Sequence, residues 1–149
     1  MDREIRTAVF PGSFNPFTIG HKSIVERGLA LFDRVIIAVG YNEHKAAGSD
    51  IEGRVREIGR VFEGNPAVSV EAYRGLTVDF MKEKGATAIL RGVRNIMDFE
   101  YERNLADINR EIAGAETVIL IADPGYGFVS SSMVRELESF GYDTTRFRP

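Results

Sequence analysis

The chain has 149 residues, 44% hydrophobic and 28% charged, which fits one globular domain with a sizeable core and leaves no room for two full ones. Nineteen Lys and Arg against 22 Asp and Glu give a net charge of −3, so no general basic field draws the chain to nucleic acid, although a local anion pocket is compatible with it. The absence of cysteine excludes a disulfide framework, a thiolate zinc site and a cysteine nucleophile, and suits a reducing compartment, the cytoplasm. The N-terminus MDREIRTAVF lacks the apolar core of a signal peptide, and no apolar run reaches the ~18 residues of a membrane span. No repeat, low-complexity tract or linker divides residues 1–149, so a single domain without a nucleic-acid or membrane partner is expected.

Taken in order, Thr7 to Phe10 reads as a strand stopped by Pro11 and Gly12. After the loop GSFNPFTIG, Ile24, Val25, Leu31 and Phe32 repeat at helical spacing, in a helix expected to start near Gly20. Val35 to Val39 is an uninterrupted β-branched and aliphatic run ending at Gly40, as expected of a strand covered on both faces. Ser49 followed three residues later by Glu52 predicts a capping box, with Ile51, Val55, Ile58 and Phe62 on one helical face and Asn65 and Pro66 as the stop.

Val68, Val70 and Ala72 alternate as in an edge strand, and Leu76 to Lys84 reads as a short helix ended by Gly85. Ala88 to Leu90 is a buried strand. Asp98 is the expected N-cap of a helix that buries Tyr101, Leu105, Ile108 and Ile112 and stops at Gly114. Thr117 to Ala122 makes a further strand, and a final helix begins around Ser131, burying Met133, Val134, Leu137 and Phe140 before Gly141. Five strands alternating with five helices predict an α/β fold: a Rossmann-like, open, five-stranded parallel sheet with helices on both faces. In such a sheet ligands lie beyond the carboxyl ends of the strands, here after Phe10, Val39, Leu90 and Ala122.

The first of these loops, FPGSFNPFTIGHKS, combines Gly12, where a ligand can approach the backbone, with a helix start that presents unpaired N–H groups to an anion. Ser13 supplies a hydroxyl, and His21, neutral or protonated, can donate to a phosphoryl oxygen from the first helical turn. The loop is neither GxGxxG nor GxxxxGK[ST], which excludes the dinucleotide fingerprint and the P-loop. Lys45 follows the second strand, and Arg91 and Arg94 follow the buried strand in RGVRN, where guanidinium groups suit phosphate geometry. In DFEYE, Glu102 either accepts from a base or ribose or complements the helix dipole with Asp98. GYGFVSSSMVRE places three serines and Arg135 at a second helix start suited to an anion.

Thr18, Ile19, Gly20 and His21 form a T-x-G-H pattern that resembles the nucleotidyltransferase superfamily. Together with PGSFNP, Lys45, RGVR, DFEYE and SSSMVRE, in this order from about Ala8 to Arg135, the chain closely resembles the bacterial phosphopantetheine adenylyltransferase family. The resemblance implies transfer of the adenylyl group of ATP to 4′-phosphopantetheine, giving dephospho-coenzyme A and pyrophosphate without a covalent intermediate. It places Ser13 against both substrates and His21 at the α-phosphate transition state. It assigns Lys45 and Arg91 to the acceptor phosphate and Thr77 to the pantetheine wall. Phe14, Gly92, Val93, Arg94, Glu102, Tyr126, Gly127, Phe128, Val129, Ser130, Ser131 and Ser132 match the ATP site.

The resemblance further implies Mg2+ on the triphosphate with no dedicated protein ligands, a homohexamer, and coenzyme A as an inhibitor in the same cleft. Phe10, Asn15 and Gly53 depart from the family's usual Tyr, Asp and better helix former without removing a catalytic group. Two rivals share much of this pattern: a sister adenylyltransferase acting on nicotinamide mononucleotide, and a non-catalytic nucleotide-binding paralogue. RGVR and DFEYE argue against the first, and His21 retained with Lys45 and Arg91 exceeds what the second requires.

Overall fold

The computed structural model describes residues 3–41 and 50–149. Five strands, β1 (Thr7–Gly12), β2 (Arg34–Gly40), β3 (Val68–Tyr73), β4 (Ala88–Val93) and β5 (Thr117–Ile121), form one parallel sheet in the order β3-β2-β1-β4-β5. The intervening helices are α1 (Ile19–Gly28), α2 (Ile51–Val61), α3 (Thr77–Glu83) and α4 (Ile96–Ala113), and α5 (Ser131–Ser139) follows β5. Among the described residues no helix is long and apolar enough to cross a membrane.

The strand period of two sorts the core into two layers. Ala8, Phe10, Val35, Ile37, Val39 and Leu90 face Ile24 and Val25 of α1 and Ile51 and Ile58 of α2. Val9, Ile36, Ala38 and Ile89 face the other way, onto Val78, Phe80 and Met81 of α3. A third cluster, Val129, Val134 and Phe147, seats α5 against Ile19 at the start of α1. The uninterrupted apolar run of β2 is thereby explained, since it is covered on both faces.

Strand order reverses between β1 and β4, and there the register opens a crevice. β1 pairs with β2 throughout, from Thr7 opposite Arg34 to Gly12 opposite Val39. Its pairing with β4 comprises only Ala8 opposite Ala88 and Val9 opposite Ile89, so the two strands part beyond Val9. This divergence also accommodates Pro11 inside β1, where a strand fully paired on both sides needs every N–H. β1 therefore continues through Pro11 and Gly12 instead of stopping at Phe10.

Several sequence expectations need correction. β4 extends through Val93, paired with β5 as far as Val93 opposite Ile121, so Arg91 is a strand residue and not a loop residue. α1 ends at Gly28, and Leu31 is exposed in the turn beyond it, although Phe32 is buried. The N-cap of α2 is Asp50, whose Oδ1 accepts from Gly53 N–H at 2.8 Å, while the expected cap Ser49 lies outside the described residues. A Cβ on Gly53 would stand 2.1 Å from the other Asp50 carboxylate oxygen, so the glycine that weakens the helix makes room for its cap.

Asn95, not Asp98, caps α4: its side chain accepts from Asp98 N–H at 2.9 Å, and Asp98 sits one turn in. The stripe Tyr101, Ile108 and Ile112 faces outward, Leu105 is half-buried, and the buried residue of α4 is Glu102. The cause is position: α4 leads to the edge strand β5, and the sheet beneath it ends there. Phe140 falls just past α5 and is 75% exposed instead of buried.

Candidate active site

Where β1 and β4 part, a cavity of about 350 Å³ opens between the carboxyl ends of the strands and the starts of α1 and α5. Ser13, Phe14 and His21 line it from the first loop and helix, Arg91, Gly92 and Arg94 from β4 and its end, and Tyr126, Val129, Ser130, Ser131 and Ser132 from the loop into α5. Thr77 and Glu102 line a neighbouring cavity instead. Val93 is buried in β4, and Phe128 is 60% exposed, packing edge-on against Phe147 at 5.8 Å. Gly127 follows the 3-10 turn Pro124–Tyr126 and does not line either cavity. Lys45 lies outside the described residues.

His21 is held by the start of its own helix. Thr18 is the N-cap of α1; its Oγ1 accepts from His21 N–H at 3.3 Å, and Thr18 N–H donates to His21 Nδ1 at 3.0 Å. This is a capping box in which an imidazole replaces the usual Glu or Gln. A nitrogen that accepts cannot carry the proton, so the neutral ring has its hydrogen on Nε2. The ring stacks on Phe17 and meets Phe14 edge-on, with centroids 5.4 and 5.0 Å away. Burial, with the charges of Arg91 and Arg94 adding to it, lowers the His21 pKa from 6.5 to about 3. Between the two states left open by the sequence, the structure selects the neutral one: a fixed Nε2–H donor with no free lone pair for general-base work.

Arg91 is fixed equally firmly. Its Nε donates to Glu102 Oε2 at 2.7 Å and its Nη2 to Glu102 Oε1 at 2.5 Å, the bidentate pairing that guanidinium and carboxylate geometry favours. Nη1 donates across the crevice to the Pro11 carbonyl. Glu102 thus orients Arg91 and neither faces the first cavity nor merely complements the helix dipole. Arg94 pairs with Asp98 at 3.0 Å. Ser130, not Ser131, caps α5, accepting from Met133 N–H at 3.1 Å, and it also contacts the Ser132 hydroxyl at 3.2 Å.

The backbone of the first loop is held from outside by side chains of other elements. Besides Arg91 on Pro11, Arg54 of α2 donates to the Ser13 carbonyl at 2.7 Å and Ser131 to the Pro16 carbonyl at 2.7 Å. Arg135 donates to the Asn15 carbonyl. Sequence reasoning missed Arg54 altogether, because nothing in its spacing links α2 to this loop. The role of Thr18 was detectable, since a hydroxyl three residues before a helix-start polar residue is a capping-box signal.

The second cavity, about 280 Å³, shares Pro11, Gly12 and Arg91 with the first. Leu76, Ile89 and Leu105 give it an apolar wall, and Asn109 and the Tyr73–Thr77 hydroxyl pair, 2.8 Å apart, supply polar groups. Thr117 also lines it, and its Oγ1 is a buried hydroxyl without a partner among the described residues. No group of three or more His, Asp or Glu among the described residues converges as a metal cage.

The chain, an open parallel sheet with an arginine- and serine-lined crevice at its switch point, belongs to the cytidylyltransferase-like family, whose model matches residues 9–137. The chain is 54% identical over 142 residues to a phosphopantetheine adenylyltransferase of Porphyromonas gingivalis, covering 95% of this chain and 93% of the relative. It is 49% identical over 145 residues to the phosphopantetheine adenylyltransferase of Phocaeicola vulgatus, covering 97% and 96%. The chain belongs to the phosphopantetheine adenylyltransferase family. The solved structure of a bifunctional NMN adenylyltransferase/ADP ribose pyrophosphatase from Francisella tularensis, complexed with AMP and a manganese ion, shares the fold. Its TM-score is 0.71 at 14% identity, over 97% of this chain and 44% of that one.

Proposed function

We propose that this chain transfers the adenylyl group of ATP to the phosphate of 4′-phosphopantetheine, releasing pyrophosphate and forming dephospho-coenzyme A. The observation that carries the reading is the meeting of two cavities at Arg91: one lined by arginines and hydroxyls and suited to the nucleotide, and a mixed apolar and amide-compatible one suited to the pantetheine arm. An acceptor phosphate oxygen attacks the α-phosphorus, a new P–O bond forms, and the bond to the β-phosphate breaks. Such a displacement needs alignment and charge neutralisation more than a base, because the attacking phosphate is already anionic.

His21 Nε2–H donates to the α-phosphoryl oxygen where charge grows in the transition state. Ser13 and the starts of α1 and α5 hold the triphosphate. Arg91, with Lys45, receives the acceptor phosphate and offsets repulsion between the two anions, and Thr77 belongs to the pantetheine wall. ATP enters as its magnesium complex, with the ion neutralising the triphosphate and carried on phosphate oxygens, so no side chain of this chain is assigned to it.

Coenzyme A, which shares the pantetheine arm, is expected to inhibit competitively in the same cleft, and the cytoplasm is the proposed compartment. A homohexamer is the proposed assembly, and the exposed apolar side chains Ile96, Met97, Ile108 and Ile112 on α4 and Ile121 on β5 are its proposed contacts. Light scattering on a sizing column is expected to give six chain masses, and a single chain mass refutes the assembly.

Incubation with ATP, magnesium and 4′-phosphopantetheine, followed by pyrophosphate release and product mass, tests the function. Dephospho-coenzyme A is the expected product, formed more slowly when coenzyme A is added. Preferential turnover of nicotinamide mononucleotide sinks the acceptor assignment, and ATP binding without any turnover identifies a non-catalytic paralogue.

A further inference from the structure

Phe14 occupies a backbone conformation that a bulky residue resists. Its φ is +47°, in the left-handed region, which side chains other than glycine resist unless their surroundings hold them there. Part of the restraint is packing. The Phe14 ring lies so close to Gly12 that a Cβ there would stand 2.9 Å from it, and the rings of Phe10 and Phe17 flank it at 5.1 and 5.4 Å.

The rest of the restraint acts on the backbone itself. The carbonyl that accepts from Arg54 Nη1 at 2.7 Å is that of Ser13, and it belongs to the peptide joining Ser13 to Phe14. The φ of Phe14 sets the orientation of this same peptide plane. In a trans peptide the N–H points opposite to the C=O. A guanidinium that draws the Ser13 carbonyl toward α2 therefore turns the Phe14 N–H away from α2, and Ser13 and Phe14 both line the first cavity. No described residue accepts a hydrogen bond from that N–H. Arg54 does not line the first cavity; it is 9% exposed and lines a different cavity, with Phe17 and Ile58.

We propose that Arg54 is a positioning residue for nucleotide binding, fixing the Ser13–Phe14 peptide so that the Phe14 N–H is aimed at a phosphate oxygen in the first cavity. The inference rests on the reading of that cavity as the triphosphate site. Arg54 acts on ATP through the peptide it holds and does not line the pantetheine cavity, so its loss is expected to affect ATP binding and to leave that cavity intact.

The test is calorimetry of ATP with the full-length wild-type chain and with Arg54→Met, which keeps most of the aliphatic packing, and Arg54→Lys. Arg54→Met is expected to weaken ATP binding roughly 10- to 100-fold, with the KM for phosphopantetheine changed less than about twofold and partial recovery in Arg54→Lys. Equal ATP affinity in wild type and Arg54→Met overturns the inference alone. Parallel loss of both substrates' binding makes Arg54 merely structural and also overturns it. A wild-type chain that binds no ATP overturns the functional reading and the inference with it.

A second measurement does not depend on the variants folding. In 15N-labelled wild type, saturating ATP is expected to shift the Phe14 amide resonance downfield, and a stationary Phe14 amide overturns the proposal.

Discussion

His21→Ala is expected to lower kcat by about 10²- to 10³-fold while changing the ATP dissociation constant by less than about tenfold, the pattern for removing one donor to transition-state charge. His21→Gln should retain measurably more activity than His21→Ala, because its amide N–H₂ falls near the place of Nε2. Loss of Nδ1 is not the reason for the defect, since that atom is turned to the N–H and hydroxyl of Thr18. Equal activity of the two variants contradicts the tautomer assigned here.

The same assignment fixes the pH dependence. With a folded pKa of about 3 against 6.5 when unfolded, His21 stays neutral through the working range, and the wild-type rate should show no inflection from it between pH 5 and 8. An inflection near pH 6.5 that disappears in His21→Gln refutes this.

Stability follows by linkage. Below pH 6.5 the unfolded chain takes up a proton that the folded chain refuses until about pH 3, so the His21 contribution is full above pH 6.5 and is lost progressively as pH falls through that window. Urea unfolding compared at pH 7.5 and pH 4.5 should therefore show a smaller acid loss in His21→Gln than in wild type. Asp33, Glu138 and Asp143, whose pKa values hydrogen bonds lower, titrate alike in both proteins and cancel from the comparison.

The second large effect is expected at Glu102. Glu102→Ala leaves the partly buried Arg91 guanidinium without its bidentate partner, a change that costs on the order of 3 kcal/mol in comparable pairs. Acceptor binding should weaken as well, because Arg91 loses its fixed orientation at the junction of the cavities. Combining Glu102→Ala with Arg91→Met removes the stranded charge, so the double variant should be less destabilised than the sum of the single ones. Denaturant unfolding measures the first effect and calorimetry with phosphopantetheine the second. Strict additivity in the cycle denies the coupling, and unchanged acceptor affinity in Glu102→Ala denies the orienting role.

The sheet was legible in the sequence because burial on both faces leaves unmistakable apolar runs, of which Val35 to Val39 is the plainest. The crevice was legible too, since Ser13, His21, Arg91 and Ser130 to Ser132 all stand at strand ends or helix starts. What could not be read was partnership. DFEYE places Glu102 one turn after Asp98, and either acid could have met a base, a dipole or a guanidinium; only the fold brings Arg91 to one of them.

Periodicity likewise gives α4 an apolar stripe without saying what covers it, and Tyr101, Ile108 and Ile112 turned outward because the sheet ends beneath them. Asn95 and Asp98 are both good capping residues three apart, so choosing between them needed the backbone. Arg54 carried no signal, since one basic residue on an amphipathic helix looks like any other until a carbonyl is found at its tip.

The parting of β1 and β4 after Val9 and Ile89 leaves the sheet forked, closed at one end like the hinge of a pair of tongs and splayed at the other. Arg91 spans the splay: a side chain rooted in β4 reaches the Pro11 carbonyl of β1, where a continuing ladder would have set a backbone rung. The opening is consequently gauged by the length of a guanidinium arm and not by the ~4.8 Å spacing of paired strands. The same residue that is proposed to receive the acceptor phosphate thus acts as the spacer that keeps the sheet from zipping shut over the place where the two cavities meet.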